Sequence, residues 1–130
     1  MGVRVAMVTV VVDDYARGIG FFRDALGLAL IADTDMGEGK RWVVVGTPGG
    51  ARLLLAKAAD AQQAAAIGKQ AGGRVGFFLE TDDFARDHAA FGAAGVRFLE
   101  SPRHEEYGTV AVFEDPFGNR WDLIEPKPAA

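Results

Sequence analysis

The chain has 130 residues, 49% of them hydrophobic and 25% charged, with a formal net charge of −4 and no cysteine. The missing thiols exclude disulfides, thiolate metal centres and cysteine nucleophiles. Without a Lys/Arg cluster, neither nucleic acid nor an anionic membrane is an expected partner. No apolar run approaches the ~20 residues of a membrane span, and the apolar start has no small-residue cleavage site, so a cytoplasmic protein with one domain over residues 1–130 is expected.

Val3–Val12 is Val-rich, is bounded by Asp13-Asp14 and reads as a strand. Asp13 or Asp14 then caps a helix running to about Leu26, since a carboxylate there accepts free N–H groups. Tyr15, Ile19, Phe22 and Leu26 recur at helical spacing as its buried face, and Gly27 stops it. Strands are expected at Leu28–Asp33, Lys40–Gly46 and Ala51–Ala56, with a loop at Asp35–Gly39 and a Pro-Gly turn at Thr47–Gly50. Lys57–Gly73, rich in Ala, Gln and Gly, reads as a linker with a helical turn or two at Ala59–Ile67. The order then repeats: strand Arg74–Thr81, helix Asp83–Ala94, strands Val96–Leu99, Thr109–Glu114 and Asn119–Glu125.

The repetition is also written in the residues. Asp13-Asp14-Tyr15-Ala16-Arg17 returns as Asp82-Asp83-Phe84-Ala85-Arg86, an offset of 69 residues (13 to 82). Thr47-Pro48-Gly49-Gly50-Ala51-Arg52 returns as Asp115-Pro116-Phe117-Gly118-Asn119-Arg120, an offset of 68 (47 to 115). One residue is therefore lost within the second helix. Two βαβββ modules follow, at about 3–57 and 74–126, joined by the linker at about 58–73.

Two such modules, with Asp-Asp-aromatic after the first strand, Phe21-Phe22-Arg23-Asp24-Ala25-Leu26-Gly27 at the helix end and Asp115-Pro116-Phe117-Gly118-Asn119-Arg120-Trp121-Asp122-Leu123 near the C-terminus, resemble the vicinal oxygen chelate superfamily. This is the glyoxalase, bleomycin-resistance and extradiol-dioxygenase group. The resemblance covers residues 3–126 and implies an α+β fold of two tandem half-barrel cups. It fixes no activity, because the family includes isomerases, lyases, dioxygenases and drug binders. Catalytic members hold a divalent metal on first- and last-strand His, Gln or Glu residues. Those positions correspond here to Met7, Leu54, Gly76 and Asp122, and a register shifted by one offers only Val8 and Phe77. A divalent site needs about three N or O ligands, so no metal and no other cofactor is expected. His88, on a helix face, and His104, in a charged loop, are the remaining imidazoles, the alternative source of a ligand from elsewhere; packed or solvated roles are their default reading.

Strand alternation places Met7, Thr9, Arg52, Leu54, Phe78, Arg120 and Asp122 on the cup lining, a mostly apolar surface suited to a small organic ligand. Asp122 is the leading candidate, either as a general base or in an Asp–Arg pair with Arg120 or Arg52. Trp121 is expected in the core. Trp42 has two readings, stacking on a planar ligand or packing in a core or interface. Arg103 and Tyr107, in the loop Ser101–Gly108, either flank the pocket mouth or belong to a solvated hairpin. The expected function is binding of a partly hydrophobic small molecule in a metal-free cup, as in drug sequestration related to antibiotic resistance. The alternatives are a metal-dependent lyase, isomerase or dioxygenase, and a metal-free enzyme with Asp122 as base. Unpaired strand edges make a homodimer the expected assembly.

Overall fold

The computed structural model describes residues 2–128. The chain divides into two compact units, Met1–Ile67 and Gly68–Ala130. Each unit is a mixed sheet with one main helix on it, so the fold is α+β.

In the first unit, β1 (Val8–Val12) leads into α1 (Tyr15–Ile19), which continues as a π-helical stretch over Gly20–Ala25. A meander follows: β2 (Ala29–Gly37), β3 (Lys40–Gly46) and β4 (Arg52–Lys57), then the short α2 (Ala61–Ala66). The sheet order is β1-β4-β3-β2, with β1 parallel to β4 and the other pairs antiparallel. In the second unit β5 (Val75–Glu80) and α3 (Phe84–Ala93) precede β6 (Arg97–Phe98), β7 (Arg103–Glu105), β8 (Gly108–Glu114) and β9 (Arg120–Pro126). Its order is β5-β9-β8-β6, with β7 also paired to β8, so the second copy divides into two pieces the strand corresponding to β2.

The duplicated Asp pairs behave alike in both units. Asp14 caps α1 by accepting the Arg17 N–H at 3.2 Å, while Asp13 pairs with the Arg17 guanidinium at 2.7 Å. Asp83 accepts the Arg86 N–H at 3.0 Å, while Asp82 pairs with Arg86 at 2.8 Å. The second Asp therefore caps and the first holds the i+4 arginine, the geometry a helix start favours.

One sheet face is core. Val10, Val12, Val43, Val45, Leu53 and Leu55 are buried with Tyr15, Ile19, Phe22 and Leu26 from the helical segment. Each such side chain stabilises the fold by roughly 1.5–3 kcal/mol. The π-helical turn, closed by a Leu26 N–H to Phe21 carbonyl bond of 3.0 Å, is a widened continuation of the helix that keeps Phe22 and Leu26 inward. In the second unit Phe113 and Leu123 are fully buried, and Trp121 stacks between Phe77 at 4.7 Å and Phe113 at 5.8 Å. Buried Asp115 organises the turn before β9. Its carboxylate accepts from the Phe117 and Asn119 backbone N–H groups (both 3.0 Å), Asn119 Nδ2 (2.9 Å) and Trp121 Nε1 (3.1 Å).

Several boundaries differ from expectation. The first strand begins at Val8, not Val3, where its parallel ladder with β4 opens, Val8 opposite Leu53. The strand expected at Leu28–Asp33 extends to Gly37, and the loop after it shrinks to a tight turn through Glu38 and Gly39, both at positive φ. β7 lies inside the segment read as a loop. Arg103-His104-Glu105 has no strand-like pattern of its own and is held by pairing with β8.

Candidate ligand-binding site

The face of each sheet opposite its helix carries the residues that core packing does not use. In the first unit Thr9, Leu54 and Val44 form one row across β1, β4 and β3. Thr9 is exposed and Leu54 half-buried, while Val44 is buried. Trp42, opposite Thr34 in β2, is 39% exposed, so it is not a core residue of the described chain. Arg52, opposite Gly46 at the start of β4, is exposed. Met7 is half-buried and precedes β1.

In the second unit the corresponding row is Phe78, Asp122 and Val112, across β5, β9 and β8. Phe78 is 66% exposed, a large apolar side chain on an outward face. Asp122 Oδ1 is buried and has no hydrogen-bond partner among the described residues. In the next row Arg103 lies opposite Val110 and Val110 opposite Ile124, which puts Arg103 diagonal to Asp122 across the sheet. Arg103 is held from two sides: Nε bonds Glu100 at 3.0 and 3.1 Å, and Nη1 bonds Glu105 at 3.1 Å. Glu100 Oε2 also accepts the Val112 N–H at 2.9 Å, which ties the cluster to the strand beside Asp122.

The electrostatics follow from this arrangement. Burial pushes the Asp122 carboxyl above the ordinary aspartate range; Arg103 opposes the shift and Glu100 adds to it. Arg103 is spread over two glutamates, whose hydrogen bonds raise its own pKa, and so it only partly compensates Asp122. Arg120 lies opposite Glu114, and among the described residues it forms no ion pair with Asp122, so the Asp–Arg alternative is not realised through Arg120. Glu100 was not legible in the sequence. It follows the short β6 and gains its place through the Arg103 and Val112 contacts.

Neither histidine joins this cluster. His88 is packed between Phe84 at 5.3 Å and Phe98 at 4.2 Å. On β7, His104 alternates with Arg103 and its Nδ1 lies 3.3 Å from Thr109 Oγ1. No group of three or more His, Cys, Asp or Glu that could hold a metal occurs among the described residues. Gly76 sits at a bulge in β5, where a Cβ would come within 2.8 Å of the Ala71 Cβ, so that position cannot carry a ligand side chain without a shift. With Met7 and Leu54 offering no N or O donor, the residues present do not fit a divalent ion.

The architecture and the sequence now converge on one family: its model matches residues 4–123. The chain belongs to the Glyoxalase/Bleomycin resistance protein/Dioxygenase superfamily. An uncharacterised protein from Shewanella frigidimarina strain NCIMB 400 is 50% identical over 121 residues, covering 91% of this chain and 90% of that protein. Among solved structures the chain is similar to UcmS2, with TM-score 0.81 and 28% identity over 95% of this chain and 98% of that one. It is also similar to TnmS3, an antibiotic-binding protein from Streptomyces sp. CB03234, with TM-score 0.76 and 28% identity over 98% and 99%.

Proposed function

We propose that this superfamily member binds a small, partly hydrophobic organic molecule without a metal, in the manner of drug sequestration. The carrying observation is Phe78, two-thirds exposed on the face where Asp122 Oδ1 lies buried and unpartnered. A ring resting on Phe78 removes apolar surface from water. A ligand hydroxyl or N–H can at the same time satisfy the carboxylate. The likeness to an antibiotic-binding protein supports the same reading. The test is a thermal-shift screen against aromatic antibiotics of several scaffolds, followed by calorimetry. A ligand at ~100 times its Kd stabilises the fold by about 2.7 kcal/mol, and Phe78→Ala and Asp122→Ala should each abolish the shift. A panel without one stabilising compound refutes the proposal.

Asp122 also supports a second reading, a metal-free enzyme in which it acts as general base. A carboxylate raised by burial and lacking a hydrogen bond is suited to accept a substrate proton. Any turnover found in the screen should fall by at least ~100-fold in Asp122→Asn; undiminished turnover removes this reading. We further propose a homodimer, since β1 and β5 each have one strand neighbour. A monomer mass by light scattering at micromolar concentration would count against it.

A further inference from the structure

The two copies of the module differ at one place in their sheets, and the duplication shows which residues are responsible. In the second unit the β8–β9 ladder runs from Gly108 opposite Pro126 to Glu114 opposite Arg120. In the first unit the β3–β4 ladder stops at Val43 opposite Leu55. Yet β3 stays paired with β2 to Lys40, and β4 stays paired with β1 to Lys57. The sheet is thus split between Lys40–Trp42 and Ala56–Lys57.

Three differences between the copies act together here. Gly108 lets β8 lie close to β9, since a Cβ there would run into the Glu125 carbonyl oxygen; its counterpart 68 residues earlier is Lys40, whose side chain excludes such an approach. The Arg41 N–H donates at 3.2 Å to the Tyr15 hydroxyl, where the second copy has Phe84 without a hydroxyl. Glu125 accepts the Phe84 N–H at 2.7 Å and so ties β9 to the start of α3, whereas its counterpart Lys57 cannot accept.

The split opens a cleft of about 530 Å³, within the range of small-molecule sites. Trp42, Leu54 and Ala56 form its apolar wall, and Lys40, Lys57 and Gln63 stand around it. Among the described residues neither lysine has a carboxylate within ion-pair distance. Arg41 is already held by Asp33 at 2.6 Å. Gln63 uses its oxygen on the Ala59 N–H, which leaves its amide nitrogen to face a ligand. Glu38 is the one carboxylate among the cleft residues. The polar groups are therefore mainly donors and cations, set beside an exposed indole.

We infer that this cleft takes a planar aromatic anion, its ring on Trp42 and its charged group between Lys40 and Lys57. The inference rests on the small-molecule-binding reading and adds to it a separate site in the first unit, with the chemical class that site takes. The probes are 8-anilino-1-naphthalenesulfonate and its neutral counterpart N-phenyl-1-naphthylamine, titrated by fluorescence. The sulfonate should bind the wild type more tightly than the amine. Lys40→Gln with Lys57→Gln should weaken the sulfonate by about tenfold and leave the amine within about twofold. Added salt should weaken the sulfonate alone, and Trp42→Ala should weaken both probes. Unchanged sulfonate affinity in the double lysine variant overturns the inference, and both lysines are exposed, so that variant should fold. Loss of binding in Phe78→Ala but not in Trp42→Ala overturns it while leaving the small-molecule-binding reading in place. Failure of both probes to bind the wild type counts against both.

Discussion

Replacing Asp122 by Asn should stabilise the protein at neutral pH. In the folded state Asp122 Oδ1 is buried without a partner, and burial, aided by Glu100, raises its carboxyl above the ordinary range. An unsatisfied buried polar group costs about 1–3 kcal/mol, and more when it is charged; Asn keeps a polar amide there and relieves only the charged part of that cost. Because the residue as a whole is only half-buried, solvent screening argues for the low end. A gain of ~1 kcal/mol, a Tm rise of roughly 3–4 °C for a chain of this size, is expected. The sign follows from linkage. A carboxyl with a raised folded pKa contributes stability that is fully present below the unfolded value near ~4 and is lost as pH rises through the folded value. The wild type therefore carries its full penalty at neutral pH, and the advantage of Asp122→Asn should shrink as pH falls towards ~4. Removing Asp122 does not strand Arg103, which keeps Glu100 and Glu105. Urea unfolding of both proteins at several pH values from 4.5 to 8 measures the difference. A destabilised Asn variant at pH 7, or a difference independent of pH, would show that the carboxylate is satisfied in the folded state and that the reasoning is wrong.

Other substitutions test the scaffold around the site. Asp115→Ala leaves four buried donors without their acceptor and should cost about 3–5 kcal/mol in urea unfolding. Phe113→Ala removes a fully buried ring that contacts Phe91, Phe98 and Trp121, and the cavity should cost ~3–5 kcal/mol. Gly108→Ala places a Cβ against the Glu125 carbonyl at φ +154°, and a loss of about 1–3 kcal/mol by thermal unfolding is expected. Tyr15→Phe deprives the Arg41 N–H of its acceptor, a loss of about 0.5–1.5 kcal/mol by the same assay.

What the sequence revealed and what it hid divide along physical lines. Helix caps and the helix-facing residues were legible because capping needs a side-chain oxygen at a fixed place and packing needs apolar residues at fixed periods. A cap within Asp13-Asp14, Phe22 on the buried helix face and Trp121 in the core all follow from such local rules, while the structure decides that the second aspartate of each pair is the cap. β7 was hidden because its strand character comes from the partner strand β8 and not from Arg103-His104-Glu105 itself. The tie between Glu100 and Val112 spans 12 residues across an irregular connection, so no spacing announces it. The split between β3 and β4 was hidden for the same reason: it depends on where two ladders stop, and ladder length is a non-local property.

The duplication provides an internal comparison that one sequence otherwise lacks. Both copies retain the aspartate pair, the arginine four residues on and the apolar helix-facing rows, because a close-packed interior tolerates little change in volume. The copies part on the opposite face, Thr9 against Phe78, Leu54 against Asp122 and Lys40 against Gly108, and at the helix-side end of the last strand, Lys57 against Glu125. These changes alter charge and shape at once, and no core requirement asks for them. One exchange, Lys57 for Glu125, even gives up the contact by which the second copy ties its last strand to its helix start. Losing a structural contact in one copy while keeping it in the other is hard to ascribe to stability. It is consistent with the first copy's face having been shaped to accommodate something outside the fold, which places Lys57 and Trp42, alongside Asp122 and Phe78, first in line for mutagenesis.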